Sequence, residues 1–146
     1  MSYNTVRQAL ETKFRAEWTH TSTTPDFIRY SNAVFDPPID QKWSSIDVHW
    51  LPNTNVAIAV GAVVRRNGIL VIDVYDKLDS GTGDLLDMAE AAVNIFENKQ
   101  VVVTGDTGSV ITLYAATVKH IGVANRQGAD PVWYQYAVRI PFFRDE

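Results

Sequence analysis

Residues able to do chemistry are sparse in this sequence. Ser80-Gly81-Thr82-Gly83-Asp84 stands ahead of a helical pattern, and backbone N–H groups at a helix start can cradle a phosphate. No Lys-Ser/Thr pair follows, so the stretch is not a P-loop. Leu86 holds the third glycine position of a dinucleotide fingerprint, which excludes that motif too. The stretch therefore reads as a connecting loop with a helix cap. His20, His49 and His120 lie in three different segments, whereas metal ligation needs three or four groups converging. Asp47 and His49 can share one side of a strand, which supplies two ligands at most. Asp36, Asp40, Asp47, Asp73 and Asp76 are the acid/base candidates. Asp73 stands out because it interrupts the apolar run Ile69 to Tyr75, so it is either half-exposed or buried with a partner such as an arginine. Ser44, Ser45 and Ser109 lack a nucleophile-elbow context. From these residues no catalytic, cofactor-binding or metal-ligating set emerges, and the chain is not read as an enzyme.

Composition points the same way. The 146 residues carry 13 Lys+Arg against 17 Asp+Glu, a net charge of −4, with no cysteine. That length suits one domain spanning 1–146, able to bury roughly 68–70% of its unfolded surface. Without cysteine there are no disulfides, thiolate zinc sites or cysteine nucleophiles. A net negative charge argues against a partner bound mainly through its nucleic-acid backbone. No apolar run approaches the ~18–20 residues of a membrane span, and the N-terminus lacks the apolar centre of a secretory signal. The expectation is a soluble, single-domain protein made inside the cell.

The elements that would position these residues follow from periodicity. Val6, Leu10, Phe14 and Trp18 recur every four residues and predict a helix from Tyr3 to Trp18. Phe27 to Tyr30 predicts a short strand within a polar, proline-bearing stretch. Ile46, Val48 and Trp50 alternate with Asp47, His49 and Leu51, as in a strand with one buried face. Val56–Arg65 and Ile69–Tyr75 read as strands joined across Arg66-Asn67-Gly68, since Asn-Gly tolerates the positive φ of a type I′ turn. Leu85 to Asn98 predicts a second helix, with acidic residues at its start and Lys99 at its end. Val101–Val103 follows as a strand. Val110–Ala116 and Thr117–Ala124 are either two strands or one long bent strand, and Trp133 to Phe143 closes the chain. The class is α+β: a mostly antiparallel, twisted sheet with two helices packed on one face.

The stretch from Arg65 to Tyr75 (RRNGILVIDVY), the Ser80-Gly81-Thr82-Gly83 loop and the helix bearing Met88-Ala89-Glu90-Ala91 resemble the tail-terminator-like proteins of long-tailed bacteriophages. The N-terminal helix, the strand Val48-His49-Trp50-Leu51-Pro52 and the closing strand with Trp133-Tyr134 and Ile140-Pro141-Phe142 agree in layout. The resemblance implies a non-enzymatic virion protein without cofactors. It would form a ring, typically of six copies, on the tail tube at the tail–head junction. The ring would stop polymerisation and offer a docking surface for a head completion or connector protein. Its partners would be other copies of itself, the major tail tube protein and that head-side protein, with no membrane contact and no specific nucleic-acid binding although DNA passes through. The contact residues expected are Arg65, Arg66 and Asn67 on the hairpin tip and Asp79, Ser80, Thr82 and Asp84 on the loop, because loops on a rigid sheet commonly carry function. Alternatives are another neck component or a small ligand-binding or enzymatic α+β domain.

Overall fold

The computed structural model describes residues 3–21, 27–30, 35, 38, 41–55, 63–77, 83–103, 110–124 and 133–145. Helix α1 (Tyr3–Glu17) is followed by β1 (Ile28–Arg29), β2 (Trp43–Trp50), β3 (Thr54–Asn55) and β4 (Val64–Lys77). Helix α2 (Gly83–Phe96) then leads to β5 (Gln100–Val102), β6 (Val110–Leu113), β7 (Thr117–Ala124) and β8 (Trp133–Asp145). The strands form one sheet in the order β1-β2-β4-β8-β6-β5, with β3 also on β4 and β7 also on β8. Among the described residues only the short β1–β2 pair is parallel.

The spine is the antiparallel pair of β4 and β8, in register from Arg65 opposite Asp145 to Lys77 opposite Trp133. Alternation sorts the two faces. Leu70, Ile72 and Val74 on β4, with Val138, Ile140 and Phe142 on β8, are buried on the helix side. They join Val6, Leu10, Phe14 and Trp18 and the α2 residues Leu85, Met88, Ala92 and Phe96 in one core. Both helices thus lie on one face, with Phe14 and Phe96 stacked at 6.3 Å between ring centroids. The other face carries a smaller aromatic cluster of Phe35, Trp43 and Trp133 with Tyr75. Trp43 stacks on Tyr75 at 3.8 Å. Helix α2 ends at Phe96, two residues short of the predicted Asn98, because Asn98 adopts the left-handed conformation (φ 54°) that terminates helices.

The predicted hairpin across Arg66-Asn67-Gly68 is not formed. Those residues lie inside β4, where Trp50 faces Gly68 on one side and Phe142 faces it on the other. Thr54 already pairs antiparallel with Arg65 and Asn55 with Val64, while 56–62 of the predicted Val56–Arg65 strand lie outside the described residues. Gly68 serves close approach rather than a turn. A Cβ there would meet Phe142 Cζ at 2.4 Å and the His49 carbonyl oxygen at 3.0 Å. The Phe142 ring occupies that space and meets Trp50 edge-on at 5.5 Å. Strands β6 and β7 follow the same edge of β8 but are separated at 114–116, so the two-strand alternative holds.

Candidate functional site

The predicted contact residues separate into two groups. Arg65, Arg66 and Asn67 sit within β4 at one end of the sheet, and the structure gives each a partner inside the chain. Arg65 forms a bidentate pair with Asp145, Nε to Oδ1 at 2.8 Å and Nη2 to Oδ2 at 2.9 Å. Its guanidinium also lies 4.0 Å above the Phe143 ring. The hydrogen bond holds Asp145 below the usual carboxylate range and raises Arg65 further. Arg66 donates from Nη1 to the Tyr3 hydroxyl at 3.0 Å, and Tyr3 packs edge-on against Trp50. Asn67 donates from Nδ2 to the Pro52 carbonyl at 3.2 Å and to Thr54 Oγ1 at 3.3 Å. With the Leu51 N–H donating to the Asn67 carbonyl, Asn67 ties the end of β2 to the start of β3 along one edge of β4. In the second group, Asp84 stands in the first turn of α2 and pairs with Lys42 at 3.2 Å. Asp79, Ser80 and Thr82 lie outside the described residues.

Among the chemical candidates, Asp47, Asp73 and Asp76 resolve as polar anchors, while Asp36, Asp40 and Ser109 lie outside the described residues. Asp73 has no arginine partner among the described residues. It accepts from Gln135 Nε2 at 3.0 Å and from Ser45 Oγ at 3.3 Å. Burial raises its pKa despite those two hydrogen bonds, and the nearby Asp47 charge adds to the rise while Arg29 opposes it. Tyr75, beside it, is pushed up to about 12 by burial and by the Asp73 charge. Asp47 pairs with Arg29 at 3.1 Å rather than with His49. Asp76 is buried, with Oδ1 accepting from the Lys77 N–H at 2.8 Å. His120 Nε2 lies 2.5 Å from the Tyr134 hydroxyl. Among the described residues no three His, Asp or Glu side chains gather as a metal site. No described helix is long and apolar enough to cross a membrane.

Two surfaces carry signals that the sequence did not expose as sites. Strand β7 pairs only with β8 among the described residues, and along it Val118, Ile121 and Val123 are exposed. A long apolar edge is a template for another chain. A groove between α1 and β5 is lined by Arg7, Glu11, Lys13, Gln100 and the exposed Val102. Within it Arg7 Nη1 donates to Glu11 Oε2 at 2.7 Å, while the buried Oε1 has no partner. A sequence reader sees Glu11 only as part of a helical i,i+4 ion pair. What these features share is contact chemistry rather than reaction chemistry.

The comparisons agree with that reading. A solved structure superposes on this chain with a TM-score of 0.64 at 17% identity, covering 99% of this chain and 95% of that one. At that identity the likeness speaks for the fold. No curated protein matches the sequence. The profile of the family described as "Phage tail terminator protein" matches residues 5–142, from the first turn of α1 to Phe142 beside Gly68. A match over nearly all of the two helices and the sheet makes this chain a member of the phage tail terminator protein family, with a structural role in the phage tail.

Proposed function

We propose that this chain caps the tail tube as a ring, stops its polymerisation and presents the surface on which the head docks. The observation that carries the proposal is the family match over residues 5–142. A terminator must match the growing end of the tube on one side and fail to reproduce that end on the other. A subunit with helices on one face of a sheet and a small buried aromatic cluster on the other has two such different sides. A ring of six copies closes through head-to-tail contacts, the symmetry that unlike surfaces produce. The partners in this reading are other copies, the major tail tube protein and a head completion or connector protein at the tail–head junction. DNA passes through without specific binding, since the chain's charge of −4 offers no basic lining to hold it. Arg65, Arg66 and Asn67 at the β4 end, together with Asp79, Ser80, Thr82 and Asp84, remain the proposed contacts to tube and head.

The test is to add the purified chain to polymerising subunits of the major tail tube protein. Elongation stops and electron micrographs show the chain at one tube end. Tubes that elongate at an unchanged rate with the chain absent from their ends refute the proposal.

A further inference from the structure

Two unpaired charged surfaces lie on opposite layers of the fold. On α2 the side chains turned to solvent include Leu86, Asp87 and Glu90, and among the described residues neither acid has an ion-pair or hydrogen-bond partner. Leu86, 45% exposed, flanks them on the same solvent-facing side of the helix. On the far side of the sheet, Lys119 of β7 stands opposite Ala137, and Arg139 of β8 stands opposite Thr117 and Val71. Arg139 is one step out of phase with the buried Val138 and Ile140, so it faces away from the helices. Both cations are exposed and, among the described residues, likewise without a partner. Ile121, 40% exposed, lies beside them on β7 at the register shift between His120 and Gly122.

Within one chain the sheet separates the two surfaces, so they cannot meet. Two copies cannot pair through the same surface either, because each would then bring like charge against like charge. The acidic face of one copy and the basic edge of the next are complementary, and such unlike surfaces join copies head to tail. We infer that the α2 face bearing Leu86, Asp87 and Glu90 docks on the β7–β8 strip bearing Lys119, Arg139 and Ile121 of a second copy, and that this contact closes the ring. The inference rests on the ring proposed above. Exposed ion pairs add little affinity singly, so the contact is weak in dilute solution and its charges chiefly set orientation.

The test uses a concentrated mixture of isotope-labelled and unlabelled full-length chain, treated with a carbodiimide that joins amines to carboxylates without a spacer. Mass spectrometry should find Lys119 of one copy joined to Asp87 or Glu90 of another. These links should fade in 1 M salt, where screening shortens charge interactions to about 3 Å. The double variants Asp87→Lys/Glu90→Lys and Lys119→Glu/Arg139→Glu should each fail to self-associate while keeping the native circular dichroism spectrum. Mixing the two variants should restore association, because each then offers the surface the other lacks. Inter-copy links at other pairs only, no inter-copy links, or variants that associate like the native chain overturn this contact. Tube capping is read separately: links elsewhere with capping intact reject this interface and leave the terminator reading standing.

Discussion

Asp73 shows how a residue with the look of a catalytic group serves the sheet instead. Its carboxylate sits amid β2, β4 and β8 with Ser45 and Gln135 as donors, both neutral, so burial prevails and its pKa rises. Arg65 does the opposite for Asp145 at the other end of the same strand pair, where a charged donor lowers the pKa. The two act on stability with opposite sign. For Asp73 the native state binds its proton more tightly than the unfolded chain, so stability declines as pH rises from the ordinary aspartate value of about 3.9 through the raised native pKa. For Asp145 the stabilisation is present above the ordinary value and is lost as pH falls through the lowered one. Asp73→Asn keeps the shape and can keep both hydrogen bonds, so the variant should lose the decline on the Asp73 side and gain stability at neutral pH relative to the native chain. Urea unfolding measured across pH 3 to 8 checks this; parallel curves for the two proteins would contradict it.

At the scale of elements, the continuity of β4 depends on Gly68. The Phe142 ring fills the space of the missing Cβ and thereby couples β8 to β2 through Trp50. Gly68→Ala forces that ring and the His49 carbonyl to give way, at a cost of about 1–3 kcal/mol, as for an overpacked core. Equilibrium unfolding in urea reads the loss as a lower midpoint with an unchanged slope; an unchanged midpoint would show that the slot is not tight. The same position explains where sequence reading failed. Asn-Gly between β-branched runs is a local turn signal, but the ring that takes up the glycine comes from Phe142, far along the chain. The stripes of both helices and the alternation in β2 and β8 were legible because burial imposes their period directly. Placing Arg65, Arg66 and Asn67 at a tip followed from the mistaken turn. Their in-chain partners Asp145, Tyr3 and Pro52 could not be read locally, because each lies on a separate element. The β7 edge was equally hidden, since which strand ends a sheet depends on strand order rather than on any one strand's residues.

For the whole molecule, the outline is a wedge of sheet with two helices on one face, an aromatic cluster on the other, an apolar strand edge and charged surfaces of opposite sign on opposite layers. Arg65 with Asp145, Arg29 with Asp47, and Asp73 with Ser45 and Gln135 tie strand to strand. A member of the phage tail terminator family with this surface should act through assembly, and its absence should change the length of an assembled object rather than the rate of a reaction. The most direct measurement is electron microscopy of particles produced by a phage lacking this chain and complemented or not with it. Without it, tails should be overlong and detached from heads, and supplying the native chain should restore both length and joining. Tails of normal length that merely fail to join heads would contradict termination and assign the chain to another place in the neck.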